Sequence, residues 1–138
     1  MAAELKVVIG VEEVGNKFLL SPLEFARYVD EFASPWLRAY FDVGNIMSYG
    51  YPQDWIRTLG KRIVKVHIKD WANPIDPAIK KRVPEYVGLF EGEVDWKAVH
   101  QAFADIDYRG TATLELAAGN AEYIKEVSRR FDRILDGV

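Results

Sequence analysis

Strand-like and helix-like segments alternate four times along this sequence, and that alternation leaves few folds open. Strand patterns fall at residues 5–13, 37–42, 62–69 and 111–116, each rich in aliphatic or aromatic residues. Helix signals lie between them. Ser21-Pro22-Leu23-Glu24 reads as an N-cap, a proline at the first helical position and a Glu three residues after the cap. It opens a helix that runs to about Phe32, with Leu23, Phe25, Ala26, Val29 and Phe32 on its apolar side. A Gly- and Tyr-rich loop after the second strand leads to a short helix over residues 53–59. Asp95 caps a helix over 96–106, and Asn120 opens a last helix that ends near Asp136 and Gly137. Residues 71–92 are irregular, and their three prolines discourage a continuous helix. Such alternation builds a parallel sheet from βαβ units.

Parity within the strands narrows the choice. Val7, Ile9 and Val11 share one face of the first strand, and Val8, Gly10 and Glu12 the other. The second strand sets Leu37, Ala39 and Phe41 against Arg38, Tyr40 and Asp42. The third sets Val64, Val66 and Ile68 against Ile63, Lys65 and His67. The fourth sets Ala112, Leu114 and Leu116 against Thr111, Thr113 and Glu115. Each strand thus has one apolar face suited to helices and one mixed or polar face. An open doubly wound sheet needs both faces apolar, whereas a barrel needs helices on its outer face alone. The expected fold is therefore α/β: a single (βα)4 domain over residues 1–138, half of a TIM barrel, with a parallel sheet and helices on its outer face.

Glu12, Asp42, His67 and Glu115 lie on the polar face, each at or near the C-terminal end of its strand. Their separations are 30, 25 and 48 residues; setting aside the 22-residue stretch 71–92 reduces the last to 26. The four recur about once per βα unit, and in a βα barrel catalytic groups from successive strands converge at that end. Three carboxylates and an imidazole repel one another unless a cation sits among them. Oxygen-rich ligation with one His suits one divalent ion, Mn²⁺ or Mg²⁺ first, with Co²⁺ or Zn²⁺ compatible. Taken singly, such residues are more often solvated, capping or structural; shared parity and spacing set these four apart.

Composition removes other classes. A formal charge of −3 with no basic stripe argues against nucleic acid as a partner. The absence of cysteine removes disulfides and thiolate metal sites. The first residues lack a basic region followed by a long apolar run, and no apolar stretch approaches membrane-spanning length, so a soluble, cytoplasmic protein is expected.

At these residues the sequence resembles the xylose-isomerase-like sugar-phosphate isomerases and epimerases, especially the hexulose-phosphate isomerase and L-xylulose- or L-ribulose-phosphate 3-epimerase group. The stretches that carry the likeness are Asn16-Lys17-Phe18-Leu19-Leu20-Ser21-Pro22, Tyr40-Phe41-Asp42-Val43-Gly44-Asn45, Val66-His67-Ile68-Lys69-Asp70 and Glu91-Gly92-Glu93-Val94-Asp95-Trp96. Thr113-Leu114-Glu115-Leu116 and Glu126-Val127-Ser128-Arg129-Arg130 complete them. The resemblance implies the C-terminal four units of an eight-unit barrel. It implies one divalent metal on Glu12, Asp42, His67 and Glu115, and Glu12 and Glu115 as the acid/base pair of an isomerase or epimerase acting through an enediolate. The sequence departs from that family at Glu12-Glu13, usually Glu-Asn, and at Gly15-Asn16, usually Trp-Asn; parity favours Glu12 over Glu13 as the ligand.

Asn45, Lys69 and Trp71 are the candidates for contact with a sugar or sugar phosphate. Asn45 reads equally as a turn residue, and Lys69 with Asp70 as an ordinary ion pair. Lys80, Lys81 and Arg82 read as a solvated basic run, and Trp36, Trp55 and Trp96 as packing residues; His100 lies on a helix. Four βα units leave two sheet edges and an interior face uncovered, so two copies are expected to pair into an eight-stranded barrel. The alternative is a half-barrel scaffold that keeps the metal ligands with little or no activity. A zinc-dependent endonuclease of the same barrel type needs several more His than the two present.

Overall fold

The computed structural model describes residues 1–138. Four parallel strands form the main sheet in the order β1-β2-β3-β8: β1 Ile9–Glu12, β2 Leu37–Asp42, β3 Ile63–Ile68 and β8 Thr111–Leu114. A short helical turn, α1 (Ala2–Leu5), precedes β1. Helix α2 (Pro22–Glu31) joins β1 to β2, and α3 (Val43–Ile46) with α4 (Pro52–Leu59) joins β2 to β3. Helix α5 (Trp96–Asp105) precedes β8, and α6 (Ala121–Leu135) follows it. The half-barrel architecture read from alternation and parity is the one observed.

Local chemistry explains the helix starts. Ser21 Oγ accepts the backbone N–H of Glu24 at 3.1 Å, Glu24 reaches back to the N–H of Leu20 at 2.9 Å, and Pro22 occupies the first turn. Asp95 takes the N–H of Ala98 and Asn120 that of Tyr123, so two more helices start where the sequence indicates. The helices cover one face of the sheet. Phe41 and Val66 from the strands, Phe25 and Val29 from α2, Ile56 and Leu59 from α4 and Val99 from α5 form one buried cluster. Each such side chain contributes about 1.5–3 kcal/mol relative to leaving it exposed.

Three expectations need correction. The first strand begins at Ile9 and not at residue 5, because residues 2–5 coil into a helical turn that Lys6 ends with a left-handed φ of 54°. Ile63 does not share the polar face of Lys65 and His67. A register shift pairs Ala39 with Ile63 but Tyr40 with Lys65, and Ile63 drops into the core at 5% exposure. Leu23 and Phe32, assigned to the packed side of α2, are exposed.

Residues 71–92 carry more order than expected. β4 (Asp70–Ala72) pairs antiparallel with β7 (Glu85–Val87), and β5 (Ile75–Asp76) with β6 (Lys81–Arg82). The nested pairs make a projecting arm at the C-terminal end of β3. Pro74, Pro77 and Pro84 fall between these short strands, where no ladder N–H is required of them. The arm is anchored by Asp70, which is fully buried. Its carboxylate accepts the N–H groups of Trp71, Phe90, Gly92 and Val94 and the indole N–H of Trp96 at 2.8–3.3 Å. No helix is long and apolar enough to cross a membrane.

Candidate functional site

Strand geometry brings the four expected ligands together. Glu12 ends β1, Asp42 ends β2, His67 is the penultimate residue of β3, and Glu115 follows β8, its N–H donating to the carbonyl of Ile68 at 3.1 Å. One ligand atom from each residue lies within 4.8 Å of the others. His67 Nδ1 stands 3.1 Å from Glu12 Oε1, 3.5 Å from Asp42 Oδ2 and 3.6 Å from Glu115 Oε2. Its Nε2 lies 2.5 Å from the Tyr40 hydroxyl. Offering the Nδ1 lone pair to a metal therefore requires Nε2 to carry the proton and donate to Tyr40.

Burial grades the carboxylates. Asp42 has no exposure; burial is the main influence on it and pushes its carboxyl up to about 6 against the stabilising Asn45 N–H and Lys69. Glu115 is the most open of the set, and its hydrogen bond from Lys69 holds it below the ordinary carboxylate range. The two share one ammonium yet shift in opposite directions, because only Asp42 is buried. Lys69 Nζ sits 2.5 Å from Glu115 Oε2, 3.0 Å from Asp42 Oδ2 and 4.4 Å from the Tyr86 ring centroid. Burial works to lower Lys69, and the two carboxylates together raise it.

A buried network backs this cluster. Glu13 is 1% exposed, and its Oε1 accepts the Asp42 N–H at 2.7 Å. Desolvation pushes its carboxyl up to about 9. Asn45 donates its amide to the Glu13 carbonyl at 2.9 Å, accepts the Tyr86 hydroxyl at 2.7 Å, and gives its backbone N–H to Asp42 Oδ1 at 2.9 Å. Both ends of Asn45 are thus engaged within the wall. Trp71 is buried at the base of the arm, its carbonyl accepting the N–H of Glu93 at 2.7 Å. Lys69 borders an open pocket of about 380 Å³ together with Glu115, Tyr86 and Tyr123.

Glu13, Tyr40 and Tyr86 are the neighbours that sequence reading passed over. The Glu12-Glu13 doublet did carry a signal, since parity turns Glu13 toward the apolar side. Tyr40 shares its strand face with Asp42, two residues on. Nothing local marks Tyr86, which the arm brings across 41 positions to Asn45.

The donor set fits a hard divalent ion. It offers carboxylate oxygens and one imidazole nitrogen. Asp42 Oδ2 is buried without a hydrogen bond of good geometry and aims into the cluster.

Comparison with known proteins follows the same lines. The family model described as xylose isomerase-like TIM barrel matches residues 1–134. This chain belongs to that family. Among curated relatives, an Escherichia coli (strain K12) protein provisionally named L-ribulose-5-phosphate 3-epimerase SgbU is 30% identical over 119 residues, covering 83% of this chain and 40% of its own. A xylose isomerase-like TIM barrel protein from Mycobacterium smegmatis, solved in complex with magnesium, superposes with a TM-score of 0.70 at 16% identity, over 97% of this chain and 47% of that one. A D-allulose 3-epimerase from Methylomonas sp., solved with D-allulose, gives 0.68 at 20% identity, over 94% and 43%. The two structural likenesses establish the shared barrel fold. The chain spans about 40% of the length of its curated relative and under half of these solved family members.

Proposed function

We propose that this chain forms the metal-binding half of a sugar or sugar-phosphate isomerase or epimerase that works through an enediolate. The observation that carries the reading is the convergence of Glu12, Asp42, His67 and Glu115 within 4.8 Å at one end of the strands. These four would hold one divalent ion, Mn²⁺ or Mg²⁺ in the first instance. When bound, that ion polarises a ketose carbonyl and stabilises charge developing on adjacent oxygens.

The chain's own residues supply the rest. Glu115 takes the proton from the hydroxyl-bearing carbon next to the carbonyl. Glu12, from the opposite end of the sheet order, returns a proton to the other face for epimerisation or to the neighbouring carbon for isomerisation. Asp42 is held by two backbone N–H groups, its own toward Glu13 and that of Asn45 toward its Oδ1, so its role is to fix geometry. Lys69 meets a substrate oxygen at the pocket, while Asn45 and Trp71 support the wall behind it. Completion of the barrel needs four further βα units, which a second copy of the chain supplies in a homodimer.

A second reading, a half-barrel that binds metal without turnover, is favoured by the partly exposed inner face on which Glu12, Tyr40 and His67 stand. One experiment separates the two. With Mn²⁺ loaded and a ketose or ketose phosphate in D₂O, the enzyme reading expects deuterium at the reacting carbon by NMR. Glu115→Gln should lower that exchange at least 100-fold, a scale typical of losing a general base, while most metal binding stays. Stoichiometric metal without exchange would favour the scaffold, and full exchange in the variant would remove Glu115 from its role. Light scattering on the same samples reads the dimer; a folded monomer would refute the paired barrel.

A further inference from the structure

Lys69 does more than border the pocket. Its ammonium rests on Asp42 Oδ2 and Glu115 Oε2, the oxygens of those two residues that approach His67 Nδ1, at 3.5 and 3.6 Å. A divalent ion bound at about 2.1 Å from Glu115 Oε2 would stand less than about 5 Å from that ammonium where it now lies. Two cations so close in a largely buried corner repel strongly. The carboxylate oxygens cannot serve both well.

The side chain has somewhere to go. Its stem is pinned: a Cβ on Gly44 would come within 2.6 Å of Lys69 Cγ, so the first carbons lie flush on the backbone of α3. The far end is held by the Asp42 and Glu115 carboxylates, and it already stands 4.4 Å from the Tyr86 ring, which can receive a cation on its face. Tyr86 and Lys69 both line the open pocket beside Glu115, and His67 does not.

We propose that Lys69 is an exchangeable counter-ion: a divalent ion entering the ligand set displaces the Lys69 ammonium from Asp42 and Glu115, and the side chain turns into the pocket beside Tyr86. The pocket gains a free cation only when the metal is in place. Substrate oxygens therefore meet Lys69 after metal loading, and the two binding events become ordered. This inference rests on the metal reading above and adds a residue that opposes the ion.

The test measures metal affinity and lysine accessibility, not turnover. Mn²⁺ titration followed by electron paramagnetic resonance compares the wild type with Lys69→Met and Lys69→Arg. Removing the charge should tighten Mn²⁺ binding about tenfold, equivalent to about 1.4 kcal/mol, whereas the Arg variant should bind no tighter than wild type. Affinity unchanged or weakened in Lys69→Met overturns the exchange. A second measurement needs no variant. Limited acetylation of the wild type, read by mass spectrometry with the exposed Lys97 and Lys125 as internal references, should show Lys69 labelling several-fold faster once Mn²⁺ is added. Labelling unaffected by saturating Mn²⁺ also overturns the exchange. A wild type that binds no Mn²⁺ at all fails the metal reading itself, and with it this inference.

Discussion

The two faces of the same four-stranded sheet obey different rules. The outer face is apolar and, at β2 and β3, sealed by helices: Ala39, Phe41 and Val66 have at most 1% exposure, whereas Ile9 at the β1 edge is exposed. The inner face carries Arg38, Tyr40, Lys65, Glu12 and His67, all partly exposed, and its contacts are ionic or aromatic. The Lys65 ammonium lies 4.9 Å from the Tyr40 ring, and the Tyr40 hydroxyl meets His67. Sealing stabilises the fold, while the open face holds charged and aromatic groups in contact with one another. A half-barrel can therefore be a folded layer on one side and an unfinished site on the other.

The largest expected effect breaks that contrast directly. Phe41→Ala on the outer face should cost about 3–5 kcal/mol, enough to unfold much of the population, whereas Lys65→Ala on the inner face should stay within about 0.5 kcal/mol. Urea unfolding followed by circular dichroism checks the pair, and equal losses would mean that the inner face is sealed in solution. Next comes the rim, where the faces meet. Asp70→Ala strips five buried or half-buried donors of their acceptor. A loss of about 3 kcal/mol is expected, with proteolysis concentrated in the arm; cleavage spread evenly along the chain would deny Asp70 its anchoring role.

Glu13 gives the most diagnostic effect. Its folded carboxyl titrates near 9 against an ordinary value of 4.5. Below pH 4.5 the protonated carboxyl adds no penalty; as pH rises toward 9 the unfolded chain releases that proton and the folded one keeps it, so stability falls across that window. Glu13→Gln removes the group's titration. With a chelator present, the variant should gain stability over wild type at pH 8, and gain less at pH 5. A gain independent of pH would show that Glu13 titrates normally.

These differences also mark how far the sequence could be read. Face parity needs only neighbours two residues apart, so the convergence of Glu12, Asp42, His67 and Glu115 and the apolar layer behind them were visible. The position of Ile63 was not, since the register shift beside Ala39 depends on how β3 meets β2. The arm was hidden for a similar reason: Asp70 finds Val87, and Trp71 finds Tyr86, across 15 or more positions. Glu13 could be seen as a face-parity oddity, but its proton affinity comes from burial that only the assembled rim creates. Family likeness supplied the roles expected of these four residues; it gave no warning that Lys69 would lie on two of them.

Asp70 has one more consequence. Because a single carboxylate clamps both feet of the arm, the length and charge of the tip between Asn73 and Pro84 are uncoupled from the spacing of β3 and β8. Mutation and insertion there should leave the four-stranded sheet untouched. The tip is thus a replaceable cassette, separate from the strands that position Glu12, Asp42, His67 and Glu115.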